Sequence, residues 1–187
     1  NQQSRKLLIG NLLDEVKKNG YDGVNIDFEL MGYQDAGRFT SFLRDLKTAL
    51  GPDKTLSVAV FARTGKETWP TPYQYKEIGQ IADRVVVMTY DYSYTTSKPG
   101  PVAPLWWVRE VKDYMVKNMP REKILLGIPT YGYNWSPGNK TLTVTAAKLA
   151  EIENRYTVQK FFDTASMSPY YIYYDENGDR HEIWLEN

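Results

Sequence analysis

Short apolar runs alternate with longer amphipathic segments along about the first 130 residues. The apolar runs predict strands at 24–29, 55–61, 84–90 and 123–129, the last two being continuous enough to indicate burial on both faces. Apolar residues that recur every three or four positions predict helices at 7–19, 35–50, 73–82 and 105–119. This alternation is typical of a parallel sheet with crossover helices, so we predict an α/β fold.

The pattern changes near Ser136-Pro137-Gly138. Beyond this point the sequence predicts a helix at 145–156 and two antiparallel strands at 169–174 and 180–186. Asn177-Gly178 between the strands is a strong hairpin-turn signal, because both residues tolerate positive φ. We therefore predict two units, a β/α unit at 1–136 and a small α+β unit at 137–187.

Composition narrows the function classes. The 187 residues include 23 basic and 23 acidic side chains, and this zero net charge argues against a nucleic-acid-binding surface. No apolar run approaches the roughly 20 residues that a membrane span needs. With no cysteine and one histidine, the sequence excludes disulfides, thiol nucleophiles and multi-histidine zinc sites within the chain. The 15 Tyr, 6 Phe and 5 Trp suit either a core or platforms for sugar rings.

The first predicted strand carries a row of polar residues, Asn25, Asp27 and Glu29, at every second position. Residues two apart on a strand share a face, and the intervening positions are all apolar. A polar row facing a sheet or barrel interior is costly, which favours a functional reading over a solubilising strand tip. Glu29 lies where β/α enzymes carry their active sites, at the carboxyl end of a strand. A carboxylic acid there is suited to protonate a glycosidic oxygen.

Three segments in order resemble glycoside hydrolase family 18, the chitinase-like enzymes. Asp22–Glu29 resembles the D-G-x-[D/N]-x-D-x-E signature, Val87–Tyr92 resembles the M-x-Y-D motif, and Leu126–Trp135 resembles the G-[I/V]-P-x-Y-G stretch. In that family these motifs belong to strands four, six and seven of an eight-stranded (β/α) barrel. Gly178–Glu186 resembles the end of the α+β insertion after strand seven. Within the family the chain looks most similar to the bacterial spore and cell-wall branch, which cleaves peptidoglycan.

The resemblance implies a set of site residues. Glu29 would be the general acid and base, Asp27 would orient the substrate acetamido group, and Tyr90 would hydrogen-bond it. The resemblance places five further residues at the substrate: Asn25, Met88, Asp91, Tyr131 and Trp135. Asn25 stands where most members have Asp, and Trp135 is equally compatible with a sugar contact or with core packing.

The resemblance also implies a TIM-barrel fragment with an insertion. It covers about strands four to seven, with no counterpart of strands one to three before Lys6 or of strand eight after Asn187. We expect other segments or another chain to complete the barrel, and we expect the isolated chain to be a poor catalyst. No metal or organic cofactor is expected.

The expected partner is a glycan that contains N-acetylglucosamine, either peptidoglycan or chitin, and the expected location is extracellular, in the cell envelope or in the spore. The first alternative is a non-catalytic, lectin-type relative. Such proteins usually lose the acid, whereas Glu29, Asp27 and Tyr90 are all present here. The second alternative is an unrelated α/β domain with an accidental motif, and three motifs in the family's order argue against it.

Overall fold

The computed structural model describes residues 1–138 and 140–186, so positions 139 and 187 of the predicted insertion lie outside the described residues. Part of the described chain forms a parallel sheet of four strands, which are β1 Gly23–Ile26, β2 Thr55–Phe61, β3 Arg84–Met88 and β4 Ile124–Leu126. Their spatial order is β1-β2-β3-β4. The predicted α/β fold with a parallel sheet is confirmed.

Four helices accompany this sheet: α1 Gln2–Asn19, α2 Ala36–Leu50, α3 Tyr75–Ile81 and α4 Leu105–Asn118. Short 3-10 turns at Tyr33–Asp35 and Arg121–Lys123 precede α2 and β4. At the start of α1 the Asn1 side chain accepts a hydrogen bond from the Ser4 amide, as an N-cap residue does. Within the described residues, no helix has the length and apolar character that crossing a membrane requires.

The core of the parallel sheet follows the predicted periodicities. Alternate residues of β2, namely Leu56, Val58 and Val60, are fully buried. Helix α2 contributes the fully buried pair Leu43 and Leu46. Fully burying such side chains contributes about 1.5–3 kcal/mol each before the entropy of folding is subtracted. This packing fixes the strands whose carboxyl ends carry the predicted site.

Strand β4 differs from the prediction. It is shorter than the predicted 123–129, and Leu125 and Leu126 are 47% and 37% exposed. The predicted burial on both faces is therefore wrong for this strand. It lies at one edge of the described sheet and pairs with β3 alone there. Pro129 also lacks the amide that a longer ladder would need.

A second, antiparallel sheet has five strands, which are β5 Gly132–Trp135, β6 Leu142–Val144, β7 Gln159–Asp163, β8 Ser168–Tyr174 and β9 Arg180–Leu185. Their order is β6-β5-β9-β8-β7, and helix α5 spans Ala146–Arg155. The predicted hairpin is confirmed, since β8 and β9 pair from Tyr174 opposite Arg180. Gly178 in its turn has φ +82°.

The chain divides into two compact units. The first unit comprises residues 1–88 and 111–126, and the second unit comprises 89–110 and 127–187. This division differs from the predicted boundary at 136, because β5 precedes that boundary yet pairs with β6 and β9. Segment 89–110 belongs to the second unit through backbone contacts, including the bond from the Leu105 amide to the Ser166 carbonyl.

Candidate active site

In the first unit, an acidic segment extends from the carboxyl end of β1. The predicted strand 24–29 ends at Ile26, and Asp27 and Glu29 follow it with exposed side chains. Phe28, between them, stacks on Phe42 of α2 with ring centroids 5.7 Å apart and planes 6° apart. Phe28 is itself 39% exposed, so the alternation expected from the sequence persists beyond the strand only in this ring contact. The two acids on either side of Phe28 are accessible.

Tyr73 supports this acidic segment, and sequence reasoning did not single it out. Its hydroxyl donates to the Phe28 carbonyl oxygen at 2.9 Å. Burial raises the pKa of Tyr73, and the charges of Tyr75, Glu29 and Asp27 raise it further. Tyr73 therefore lies within electrostatic reach of both carboxylates. In the sequence it reads only as the aromatic start of a helix.

Two further predicted substrate residues, Asn25 and Met88, lie in the first unit. The Asn25 amide oxygen accepts a hydrogen bond from the Ser57 hydroxyl of β2 at 2.7 Å, and Asn25 remains exposed. Because its side chain is neutral, the polar row contains two ionisable groups rather than three. Met88 ends β3 and is 8% exposed. Contact of either residue with a sugar remains a prediction.

In the second unit, two tyrosines converge on one carboxylate. The hydroxyls of Tyr131 and Tyr133 donate to the same oxygen of Asp91, Oδ1, at 2.7 and 2.8 Å. Burial and then the hydrogen bond to Asp91 raise the pKa of Tyr133 to about 12, and the same causes raise that of Tyr131. The sequence predicted Asp91 and Tyr131 at the site but did not single out Tyr133. The alternation of Tyr131, Tyr133 and Trp135 was the only signal for it.

Tyr90 and Trp135 complete the set of predicted residues in the second unit. The half-buried Tyr90 meets Tyr131 edge to face, with ring centroids 6.2 Å apart. Trp135 is 6% exposed and packs in a hydrophobic cluster with Val102, Tyr133 and Trp184. This burial favours the core-packing interpretation of Trp135, and its contact with a sugar remains a prediction.

The chemistry available in each unit follows from these side chains. Exposed carboxyl groups at 27 and 29 are able to exchange protons with a ligand. Asp91, with one oxygen held by phenols, offers a fixed acceptor to a hydroxyl-rich ligand. Among the described residues no group of three or more histidine or acidic side chains is placed to hold a metal ion.

A parallel β/α sheet with exposed carboxyl groups after a strand end is compatible with a glycosidase. The family model "Glycosyl hydrolases family 18" matches residues 1–186, and the chain belongs to this family of glycoside hydrolases. The resemblance found in the three motifs is thereby confirmed.

The similar proteins include both spore enzymes and chitinases. The chain is 34% identical over its whole length to the Bacillus subtilis protein YdhD, provisionally named a sporulation-specific glycosylase, and covers 46% of it. It is 33% identical to the cortical fragment-lytic enzyme of Bacillus anthracis, over 96% of this chain and 44% of that protein. The chain thus spans about half the length of the curated relatives it matches.

Solved structures agree with this grouping. The crystal structure of YdhD superposes with a TM-score of 0.94 at 34% identity, covering 100% of this chain and 65% of that one. A chitinase from Chromobacterium violaceum superposes with a TM-score of 0.89 at 32% identity, covering 96% and 58% respectively. The predicted similarity to the spore and cell-wall branch is confirmed.

Proposed function

We propose that the chain carries the catalytic carboxylates of a retaining hydrolase that cleaves β-1,4-linked N-acetylglucosamine in spore-cortex or cell-wall peptidoglycan. One observation carries this proposal: Asp27 and Glu29 are both exposed just after β1, on either side of Phe28, whose ring stacks on Phe42 of α2. The name of the Bacillus anthracis relative favours peptidoglycan, and the Chromobacterium violaceum relative keeps chitin as the second polymer. The same spore-related names support an extracellular, cell-envelope or spore location.

In this proposal Glu29 moves the protons. It first donates a proton to the glycosidic oxygen, which leaves with the departing sugar. The carbonyl oxygen of the substrate's own 2-acetamido group attacks the anomeric carbon and forms a cyclic oxazolinium ion, as family membership implies. The Glu29 carboxylate then takes a proton from water, and the water oxygen attacks the anomeric carbon. This attack breaks the bond to the acetamido oxygen, opens the oxazolinium ring and gives net retention.

The other residues orient the acetamido group and the sugar. Asp27 accepts the acetamido N–H and stabilises the positive charge of the oxazolinium ion. Tyr90 donates its hydroxyl to the acetamido carbonyl, and Asp91 accepts from a hydroxyl of the sugar at the cleavage subsite. Asn25, Met88, Tyr131 and Trp135 are proposed as further substrate-binding residues. No cofactor is needed for these steps.

The test is hydrolysis by the full-length protein beside a Glu29→Gln variant. Peptidoglycan and chitin oligosaccharides are incubated with each, and new reducing ends are identified by mass spectrometry. We expect N-acetylglucosamine reducing ends from the wild type and a loss of about 10²–10⁴-fold in the variant, because it has no general acid. Glu122→Gln is the matched control, since this exposed residue precedes β4 at its amino end.

The outcomes separate the proposed functions. Unchanged cleavage by Glu29→Gln would contradict the role of Glu29. Saturable binding of the oligosaccharides without cleavage by the wild type would instead support the lectin-type alternative. The better-cleaved polymer decides between a wall-directed enzyme and a chitinase.

A further inference from the structure

We propose that Tyr133 is a positioning residue: with Tyr131 it fixes one carboxylate oxygen of Asp91, so that the other oxygen is presented to a sugar hydroxyl. This inference rests on the proposed function, in which Asp91 binds the sugar at the cleavage subsite. Tyr133 itself touches no reacting atom in this proposal. It acts through Asp91 alone.

The hydrogen bonds specify which oxygen is held. Both phenol hydroxyls reach Oδ1 of Asp91, at 2.7 Å from Tyr131 and 2.8 Å from Tyr133. Neither bond uses Oδ2, and the Asp91 side chain is exposed. A carboxylate has lone pairs for about four donors, so the second oxygen keeps its capacity for a ligand hydroxyl.

Tyr133 is more firmly fixed than Tyr131. It is 7% exposed and sits inside β5, with β6 residue Thr143 and β9 residue Trp184 opposite it on either side. Its ring meets Tyr131 and Trp135 edge to face at centroid distances of 5.6 and 5.5 Å. Tyr131 is half-buried and precedes the strand. Of the two phenols bonded to Asp91, Tyr133 is therefore the one that lies within the antiparallel sheet, and its hydroxyl is the main connection between this sheet and Asp91.

Asp91 needs such support because its own backbone is irregular. It lies between β3 and α4 and has φ +59°, in the left-handed region that few non-glycine residues adopt. An exposed aspartate in a loop loses side-chain rotamer freedom when it binds a ligand, and this loss weakens binding. Two phenol donors that fix the carboxylate beforehand reduce that cost.

The hydroxyls of Tyr131 and Tyr133 are hydrogen-bond donors at neutral pH. Burial and the bond to Asp91 raise the pKa of Tyr133 to about 12, and the pKa of Tyr131 is raised by the same causes. Both hydroxyls therefore keep their protons at neutral pH. Both phenols that hold Asp91 are therefore neutral donors.

A double-mutant cycle in the full-length protein tests the coupling. We expect Tyr133→Phe to lower kcat/KM for a chitin or peptidoglycan oligosaccharide about tenfold, mostly through KM, because a hydrogen bond to a charged group is lost. In an Asp91→Ala background, which has no side-chain acceptor, the same substitution should have less than a twofold effect. Tyr173→Phe is the control: this buried tyrosine of β8 accepts a bond from Asn134, and kcat/KM should not change. An equal loss from Tyr133→Phe in both backgrounds would overturn the positioning role.

A second readout does not depend on turnover. Phenolate absorbance is followed from pH 9 upward. Asp91→Asn should shift the ionisation of one or two tyrosines to lower pH. This shift should be smaller when Tyr133→Phe is also present, because one of the two tyrosines is then absent. An unchanged titration would overturn the contact itself. If the wild type cleaves neither polymer, the proposed function fails, and the cycle is repeated with oligosaccharide binding measured by calorimetry. Binding without coupling between residues 91 and 133, or no binding at all, would overturn the inference.

Discussion

At the scale of single residues, one buried hydroxyl connects the segment before α3 to the acidic strand end. Tyr73 is 2% exposed and donates to the carbonyl of Phe28, the residue between the two acids. Tyr75, 5% exposed, makes a matched bond to the carbonyl of Phe61 at the end of β2, at 3.0 Å. The two phenols therefore hold different strand ends by the same chemistry.

We predict that Tyr73→Phe and Tyr75→Phe cost similar stability but differ in activity. Each leaves a carbonyl without its buried donor, which costs about 1–3 kcal/mol. Only Tyr73→Phe releases the backbone between Asp27 and Glu29, so only this variant should lose kcat beyond its loss of folded protein. Denaturant unfolding and oligosaccharide hydrolysis measure the two effects. An equal activity loss in both variants would contradict a specific role for Tyr73.

The sequence revealed the acids but not their supports, for a physical reason. Asp27 and Glu29 stand out through a local alternation of polar and apolar residues. Tyr73 and Tyr133 act on partners 45 and 42 positions away, respectively. Contacts at that separation depend on strand order and register, which periodicity along the chain does not encode. Tyr131 was found only because a family motif includes it.

At the scale of elements, β5 depends on one glycine. Gly132 begins the strand, opposite Leu185 of β9 and Val144 of β6. A Cβ atom added at Gly132 would meet the Trp184 carbonyl oxygen at 1.8 Å and the Leu185 Cα at 2.6 Å. These are backbone atoms, so side-chain rotation cannot relieve the clash. The close approach of the strands here requires glycine.

We predict that Gly132→Ala strongly destabilises the second unit, by about 3 kcal/mol or more, because the ladder must separate or shift. Gly178→Ala is the control, since its hairpin position has φ +82° but open space around the added atom. Gly178→Ala should cost only about 1–2 kcal/mol, because alanine is strained in the left-handed region. Thermal unfolding and amide hydrogen exchange of β5 and β9 measure the loss of stability in both variants. Protection of β5 unchanged in Gly132→Ala would show that the strand tolerates a side chain.

Prediction from the sequence also depended on element length. The helices and β2 of the first unit repeat their pattern for long enough to be recognised, and β2 was predicted with its observed bounds. Strands β1 and β4 have only 4 and 3 residues, but they lie within longer patterned segments. Strands β6 and β7 have 3 and 5 residues without such a surrounding segment and were not predicted. The β8–β9 hairpin was predicted because its turn carries Asn-Gly.

At the scale of the whole molecule, acid sensitivity follows from carboxylates that the fold uses as acceptors. Asp83 lies just before β3 and links this strand to two other elements. Its Oδ2 accepts hydrogen bonds from Lys47 Nζ of α2 and from the Leu56 amide of β2, both at 2.7 Å. Burial alone would raise its pKa, but these bonds and the charge of Lys47 hold the pKa below its usual value. The folded state therefore favours the ionised form.

We predict that this contribution is present above pH 3.8, the ordinary value for Asp, and is lost as the pH falls through the lower pKa of the folded state. Asp83→Asn should cost about 1 kcal/mol at pH 7, allowing for screening of this partly exposed pair. At pH 2.5 the difference in stability between wild type and variant should be smaller than at pH 7. Denaturant midpoints at both pH values check this. Asp45→Asn, which breaks an exposed pair with Arg5, should change little. A difference in stability as large at pH 2.5 as at pH 7 would contradict the linkage.

The division of the whole chain was predicted only in part. The change from parallel to antiparallel patterning near residue 136 is visible in the sequence, but β5 lies before it. Nothing local in segment 89–110 shows that it belongs with the second sheet. That membership comes from contacts between residues far apart in sequence, such as the hydrogen bond from the Ala103 amide to the Glu186 carboxylate.

This Glu186 contact has a consequence for the order of events during biosynthesis. Its Oε1 accepts from the Ala103 amide and from the Ser168 hydroxyl, each at 3.1 Å. Ala103 and Glu186 are 83 positions apart, so the ribosome needs about 4–17 s at roughly 5–20 residues per second to supply the anchor. Until then the segment that contains Ala103 cannot complete its native hydrogen bonds, and closing a loop of this length carries an entropic cost. Cotranslational chaperones would meet its aromatic residues during that interval.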